Sequence, residues 1–297
     1  LYLPILGVCK NTMSRVIIVL LGILAVAGCA MAQNPAPKPA TVSNVSLHSI
    51  PPGTNSFSFG SEPERKLFDL ANQARINAGL APLSADEGLT EAARAHAAAM
   101  AAQQQLSHQL AGEPALPQRL AADSKLHLDV AGENVAFAGT VEQAEDSLMH
   151  SPQHRANLLS ADYNVAGFAV VQSGPRLYVV QDFGHSLPSI SGQQAEEAIA
   201  DSLRRRRSEA NLPELRRADD AAAKSTACAM ARADSLKTPS PQGRYIMRYT
   251  AMQPGELPSG ISKILSDRTV NSVAAGTCFG KTASYPNGAY FVALIFY

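Results

Sequence analysis

SPQHRANLLSADYNVAGFAVVQSGPRLYVVQDFG, residues 151–184, joins a helix start to a pair of strands. Ser151 suits a helix N-cap, and Pro152 suits the first helical position, where no amide donor is needed. A short helix therefore opens at residue 152. Downstream, Val165–Gln172 and Leu177–Phe183 are apolar runs on either side of Ser173-Gly174-Pro175, the pattern of a β-hairpin with a glycine-containing turn. The helix start also bears on chemistry. His150 and His154 are four residues apart, a metal-ligand spacing on one continuous helix, but the break at Ser151 falls between them. His150 is therefore read as a surface residue.

Upstream of this stretch the periodicity is helical. Leu67, Leu70, Ala71, Ala74 and Ala78 recur on one face, and Gly79 follows as a C′ residue. Ser84-Ala85-Asp86-Glu87 reads as a capping box. Behind it Leu89, Ala92, Ala93, His96, Ala97 and Met100 form a second apolar stripe. His96 lies on that stripe and is read as a satisfied core residue. Ser107-His108, Arg119 and Gly132-Glu133-Asn134 follow, and a third helical segment covers residues 141–149.

The whole chain has 297 residues, enough for one or two domains at ~100–200 residues each. Its 25 Lys+Arg balance 25 Asp+Glu, which argues against a nucleic-acid partner, since such proteins carry a basic excess. All seven histidines lie at or before His185, so imidazole chemistry belongs to the first two-thirds. VIIVLLGILAVA, residues 16–27, is a 12-residue apolar run behind Arg15. It is shorter than the ~20 residues of a spanning helix and reads as the core of an export signal. Met13 reads as the natural start, which makes residues 1–32 upstream sequence plus signal peptide. Two cleavage signals compete: Val26-Ala27-Gly28-Cys29 resembles a lipobox that would lipidate Cys29, and Ala30-Met31-Ala32 resembles the site of ordinary secretion. Either predicts a secreted or lipid-anchored envelope protein, with a lipid anchor as its one membrane attachment. Residues 33–61, rich in Pro and Ser, read as a linker.

Only Cys228 and Cys278 remain outside the leader. Two thiols in an exported chain suggest one disulfide, worth about 4 kcal/mol by loop entropy; the alternative is two buried free thiols. With no histidine nearby they do not make a zinc site.

In order and spacing these motifs resemble the CAP superfamily of cysteine-rich secretory, antigen 5 and pathogenesis-related proteins, in its bacterial secreted SCP-like branch. The resemblance covers roughly residues 64–185. It rests on Asn72–Leu83, Ala92–Met100, Ser107-His108, Gly132-Glu133-Asn134, Ser151–Leu159 and Tyr178–Gly184. It implies an α+β fold, an α-β-α sandwich around a small, mostly antiparallel sheet, over residues 62–187. It also implies a cleft lined by His108, Glu133 and His154. Animal members add a second glutamate just after a helical tryptophan; here those positions hold Ser151 and Leu148, so that carboxylate is missing. Two imidazoles and one carboxylate can hold zinc or another divalent metal. Without metal, a histidine oriented by a carboxylate can act as a general base. The blander alternative is that Glu133 and Asn134 only brace a loop.

Residues 193–297 look like a worn second copy. Arg207, Ala210, Leu212 and Leu215 line up without a gap on Arg75, Ala78, Leu80 and Leu83. Ala227–Ala231 parallels Ala97–Ala101, and Tyr285-Pro286-Asn287-Gly288 is a turn between two apolar runs. This predicts a degenerate CAP-like domain without cleft residues; the alternative is an unrelated α+β domain. Arg204–Arg207 are read as a solvated helix face, offset by Glu196, Glu197 and Asp201. Two functions stay open. One is an exported binding module whose cleft holds a divalent metal, a lipid or a cell-wall component. The other is a metal-dependent or histidine-based hydrolase of protein or cell-wall polymer, although no G-x-S-x-G or H-E-x-x-H motif is present.

Overall fold

A computed structural model of the chain describes residues 58–239 and 241–297. The export signal, Cys29 and the linker as far as residue 57 lie outside the described residues.

Helix α1 (Glu62–Asn77) starts at Ser61, whose hydroxyl accepts the Glu64 amide, and ends where Gly79 turns the chain at φ 76°. Strand β1 is only two residues long (Ser84–Ala85). It corrects the expected capping box: Ser84 and Ala85 are drawn into the sheet beside Val165 and Ala166, and Asp86 caps the next helix by accepting the Leu89 amide at 2.9 Å. Helix α2 (Glu87–Gln103) buries the whole predicted stripe, His96 included. Then come α3 (Leu116–Asp123), β2 (His127–Ala138), α4 (Val141–His150) and α5 (Pro152–Leu158), with Ser151 between the last two. The hairpin is β3 (Val165–Ser173) and β4 (Arg176–Leu187).

The sheet runs β1-β3-β4-β2, antiparallel except for the β1–β3 pair. On one face, Leu67 and Phe68 of α1 and Leu148 of α4 pack on Phe168, Val179 and Phe183. On the other, Ala93, Ala97 and Met100 of α2 pack on Val135, Ala169 and Val180. The result is an α-β-α sandwich. The alanine-rich stripe lets α2 lie close to the sheet, and at Gly167 a Cβ would meet the Leu89 carbonyl carbon and the Thr90 nitrogen at 2.1 Å.

A second lobe follows with α6 (Gly192–Glu209), β5 (Arg216–Arg217), α7 (Ala221–Ala233), β6 (Tyr245–Ala251), α8 (Ile261–Leu265), β7 (Ser272–Gly280) and β8 (Ala289–Phe296). Its sheet runs β5-β7-β8-β6, again antiparallel except for the first pair. Gly276 meets the backbone of Ala223 and Lys224 as Gly167 meets that of Leu89 and Thr90. Helix α7 has 13 residues where α2 has 17, about one turn fewer. The Cys228–Cys278 disulfide ties α7 to β7, with Cα atoms 4.9 Å apart.

The two lobes share one polar device. Arg75 is buried, and its guanidinium donates to the carbonyls of Ala81, Leu158, Ser160 and Tyr163. Arg207 is equally buried and donates to Pro213, Leu265, Asp267 and Val270. This corrects the reading of Arg204–Arg207 as one solvated face. Arg204, Arg205 and Arg206 are exposed, but Arg207 points inward because these carbonyls have no strand partners to satisfy them. Where the lobes meet, the His127 ring sits edge-on to Phe279 at 4.8 Å, and Lys281 donates to the Ser124 carbonyl at 2.9 Å. No helix among the described residues is long and apolar enough to cross a membrane.

Candidate functional site

Three chain segments meet beside β2, an edge strand of the first sheet. Helix α2 stops at Gln104, whose left-handed conformation (φ 51°) turns the chain into the loop that carries His108. Strand β2 supplies Glu133, buried and directly opposite Asp182 of β4. Helix α5 supplies His154 near its start.

The geometry brings the three expected residues together. His108 Nδ1 lies 2.9 Å from Glu133 Oε1, and the His108 ring centroid is 6.4 Å from that of His154. His108 is one-third exposed and its Nε2 has no protein partner among the described residues. Burial, then the nearby His108 charge, pushes the His154 pKa down, so its imidazole is neutral at neutral pH. An amide chain fixes its position: Asn134 Nδ2 donates to the His154 carbonyl and to Gln181 Oε1, and Asn157 Nδ2 donates to Asn134 Oδ1 and to the Glu133 carbonyl.

Behind His108 lies a buried network that sequence reasoning missed. Arg119 of α3 donates to Glu133 Oε2 and to the His108 carbonyl at 3.1 Å, and forms an ion pair with Glu113 Oε2 at 3.1 Å. His96 is fully buried; its Nε2 donates to the Ser107 carbonyl, and its Nδ1 lies 2.7 Å from Glu113 Oε1. Burial pushes the Glu113 carboxyl up, but the His96 contact, the Leu110 amide and the Arg119 charge outweigh it, so Glu113 titrates below its usual range. Asp182 behaves oppositely. Complete burial, then the Glu133 charge beside it, holds its pKa well above the carboxylate range, and it keeps its proton. A further carboxyl, Glu145 of α4, accepts from Gln181 Nε2 at 2.8 Å and is pushed up to about 7 by burial. One signal for Asp182 was available: a charged residue between Val180 and Phe183 in a strand reading as core.

Both Glu133 oxygens are thus engaged, one by His108 and one by Arg119. Among the described residues no three His, Cys, Asp or Glu side chains are grouped to hold a metal. What faces outward is a pair of imidazoles. At a Zn–N distance of ~2.0–2.1 Å a ring centroid stands roughly 3 Å from the ion. Two rings on one shared ion would stand no more than roughly 6 Å apart, so from 6.4 Å the His108 and His154 rings would have to draw closer to share one. A carboxylate behind the ligating histidine is the arrangement that raises ligand basicity and fixes the ring. The two imidazoles are the side chains that would have to supply the donors for such an ion. Ser107, by contrast, spends its hydroxyl on the Gln109 carbonyl rather than on His108. His150 is exposed and bonds within its own helix.

Residues 68–183 match the CAP family model, described as the cysteine-rich secretory protein family. An uncharacterized protein of Bacillus subtilis (strain 168), YkwD, is 32% identical over 122 residues, 41% of this chain and 47% of that one. An uncharacterized membrane protein of the same strain, YlbC, is 31% identical over 121 residues, 40% of this chain and 34% of that one. The chain thus spans less than half the length of these two relatives. An extracellular protein containing a SCP domain from Bacillus anthracis str. Ames aligns with 26% identity and a TM-score of 0.39, over 42% of this chain and 40% of that one.

Proposed function

With a CAP domain over residues 68–183 as the premise, we propose that this protein is an exported binding module whose His108 and His154 hold a divalent metal such as zinc, and through it a small envelope ligand, lipid or cell-wall component. The single observation that carries this reading is the His108–Glu133 contact. It ties up Nδ1 and leaves Nε2 without a protein partner among the described residues, beside the imidazole of His154, whose pKa burial lowers. When bound, the ion would supply a Lewis-acid position for a ligand oxygen. The chain's own residues hold and orient it: Glu133 aims His108, and Asn134 fixes the α5 turn that carries His154.

The second lobe, on this reading, is a degenerate copy of the first that braces the assembly. Its sheet order and its arginine hub support that. The apolar run at 16–27 supports export, with Cys29 the residue to test by palmitate labelling.

The decisive experiment is zinc titration of the wild type and of His108→Ala/His154→Ala. Loss of zinc binding in the double variant is the expected result, and equal binding by both proteins would overturn the reading. A hydrolase reading keeps one observation in its favour, since the same His108–Glu133 pair could serve as a general base. Any turnover of protein or cell-wall polymer must then vanish in the same double variant.

A further inference from the structure

We propose that the cavity where the two lobes meet, at the start of β2, is a second ligand site: it takes a small uncharged molecule with an apolar ring or chain and one hydroxyl, and the hydroxyl bonds to His127. The site does not depend on the metal reading. His127 stands six residues before Glu133 on β2, about 20 Å of extended strand away from it.

The cavity measures about 490 Å3. Sites for small molecules commonly measure ~300–1,000 Å3 and form where domains meet. Strand β4 ends at Leu187, and the chain runs along the cavity through Pro188 and Ile190 before Ser191 caps α6. Helix α6 lines it with Ala198 and Ser202, and the loop after β6 with Met252 and Pro254. That loop lies tight on the helix, because at Gly255 a Cβ would stand 3.2 Å from the Ala198 carbonyl oxygen and from Ser202 Oγ. Tyr290 of β8 and His127 complete the wall.

The wall sets the ligand class. Leu187, Ile190, Met252, Pro254 and the Tyr290 ring favour an apolar body. The charged residues, Arg205, Asp201 and Glu256, are of both signs. Arg205 donates to Ser202 Oγ at 2.7 Å, and Asp201 pairs with Arg204 at 2.6 Å. The wall thus selects neither an anion nor a cation. One polar group is left over. His127 is 6% exposed, and its buried Nε2 has no partner among the described residues. Burial lowers the His127 pKa against the opposing pull of Asp129 and the Gly288 backbone, which favours the neutral ring. A neutral ring offers Nε2 as an N–H or as a lone pair, and a hydroxyl, being donor and acceptor, answers either. A buried polar atom without a partner is costly, and the ligand relieves that cost. Nε2 is sealed from water in the free chain, so the hydroxyl must displace its cover. Phe279, edge-on to His127 at 4.8 Å and 44% exposed, has room on its outer side.

The test is calorimetric titration of the full chain with p-cresol and with toluene, which has the same ring and methyl group but no hydroxyl. The wild type should bind p-cresol, and toluene roughly tenfold more weakly, the difference of about one hydrogen bond. His127→Phe should bring the two probes to the same affinity. Ala198→Leu, which fills the cavity and leaves His127 in place, should weaken both. If His127→Phe does not fold, the wild type still decides: p-cresol should shift the ring 15N resonances of His127 more than toluene does. Three results would each overturn the proposal: no saturable binding of p-cresol, equal binding of both probes by the wild type, or p-cresol binding that neither variant alters. None of them involves His108 or His154, so zinc titration fails or succeeds separately.

Discussion

Glu145 carries a charge question inside a packed helix. It lies among the buried residues of α4, one oxygen accepts from Gln181, and burial raises its pKa to about 7 despite that bond. In the unfolded chain a glutamate titrates near ~4.3. Between that value and 7 the folded state holds more protons than the unfolded state, so stability falls as pH rises through this window and levels off above it. Glu145→Gln keeps the shape and removes the charge. Denaturant melts at pH 5 and pH 8 should show the wild type losing up to about 2–3 kcal/mol between them at this site, and the variant losing less. An unchanged slope would place the titration elsewhere. This residue was not legible in the sequence, because one charge among Glu142, Asp146 and their neighbours looks like the solvated side of a helix. The His108–Glu133 contact was equally hidden: 25 residues separate the pair, and only family resemblance linked them.

At the level of elements, local chemistry predicted most of what formed. The Ser151-Pro152 start separates α4 from α5, and the Gly174 turn joins β3 to β4. Two misreadings have tertiary causes. Ser84 fits a capping box by spacing, but parallel pairing with Val165 claims it, and the cap passes to Asp86. Asp86→Ala should therefore cost about 1 kcal/mol in urea unfolding, while Ser84→Ala should cost less than about half of that. Equal costs would restore the capping box. Arg207 reads as one of four arginines in a row, and only carbonyls about 60 residues away reveal it as a hub. Arg207→Met should cost about 3 kcal/mol or more by stranding buried carbonyls, whereas Arg206→Met should stay within roughly 0.5 kcal/mol. The same denaturant series separates the two outcomes.

Across the whole molecule, the histidines are unevenly spread over the two lobes. His108 and His154 stand together in the first lobe, and residues 193–297 contain no histidine. The second lobe instead carries the Cys228–Cys278 bond, which closes a 50-residue separation between α7 and β7. Cys228→Ala/Cys278→Ala should lower stability by about 2–4 kcal/mol and leave zinc binding at the first lobe intact. Loss of zinc binding in that folded variant would show that the second lobe shapes the cleft. The meeting of the lobes at His127, Phe279 and Lys281 could not be foreseen, because none of those residues belongs to a recognisable pattern.

The placement of Arg75 has a consequence for when the fold can form. Its guanidinium waits for carbonyls at Leu158, Ser160 and Tyr163, 83 to 88 residues further along, and β1 waits for β3 over a similar distance. A high mean separation between contacting residues slows folding, because loop closure costs entropy before contacts repay it. The first lobe cannot complete its centre until residue 184 has left the ribosome, since β4 lies between β3 and β2. On the export proposed above, such late closure would keep the thread loose while it is carried across, and the lobe would assemble on the far side.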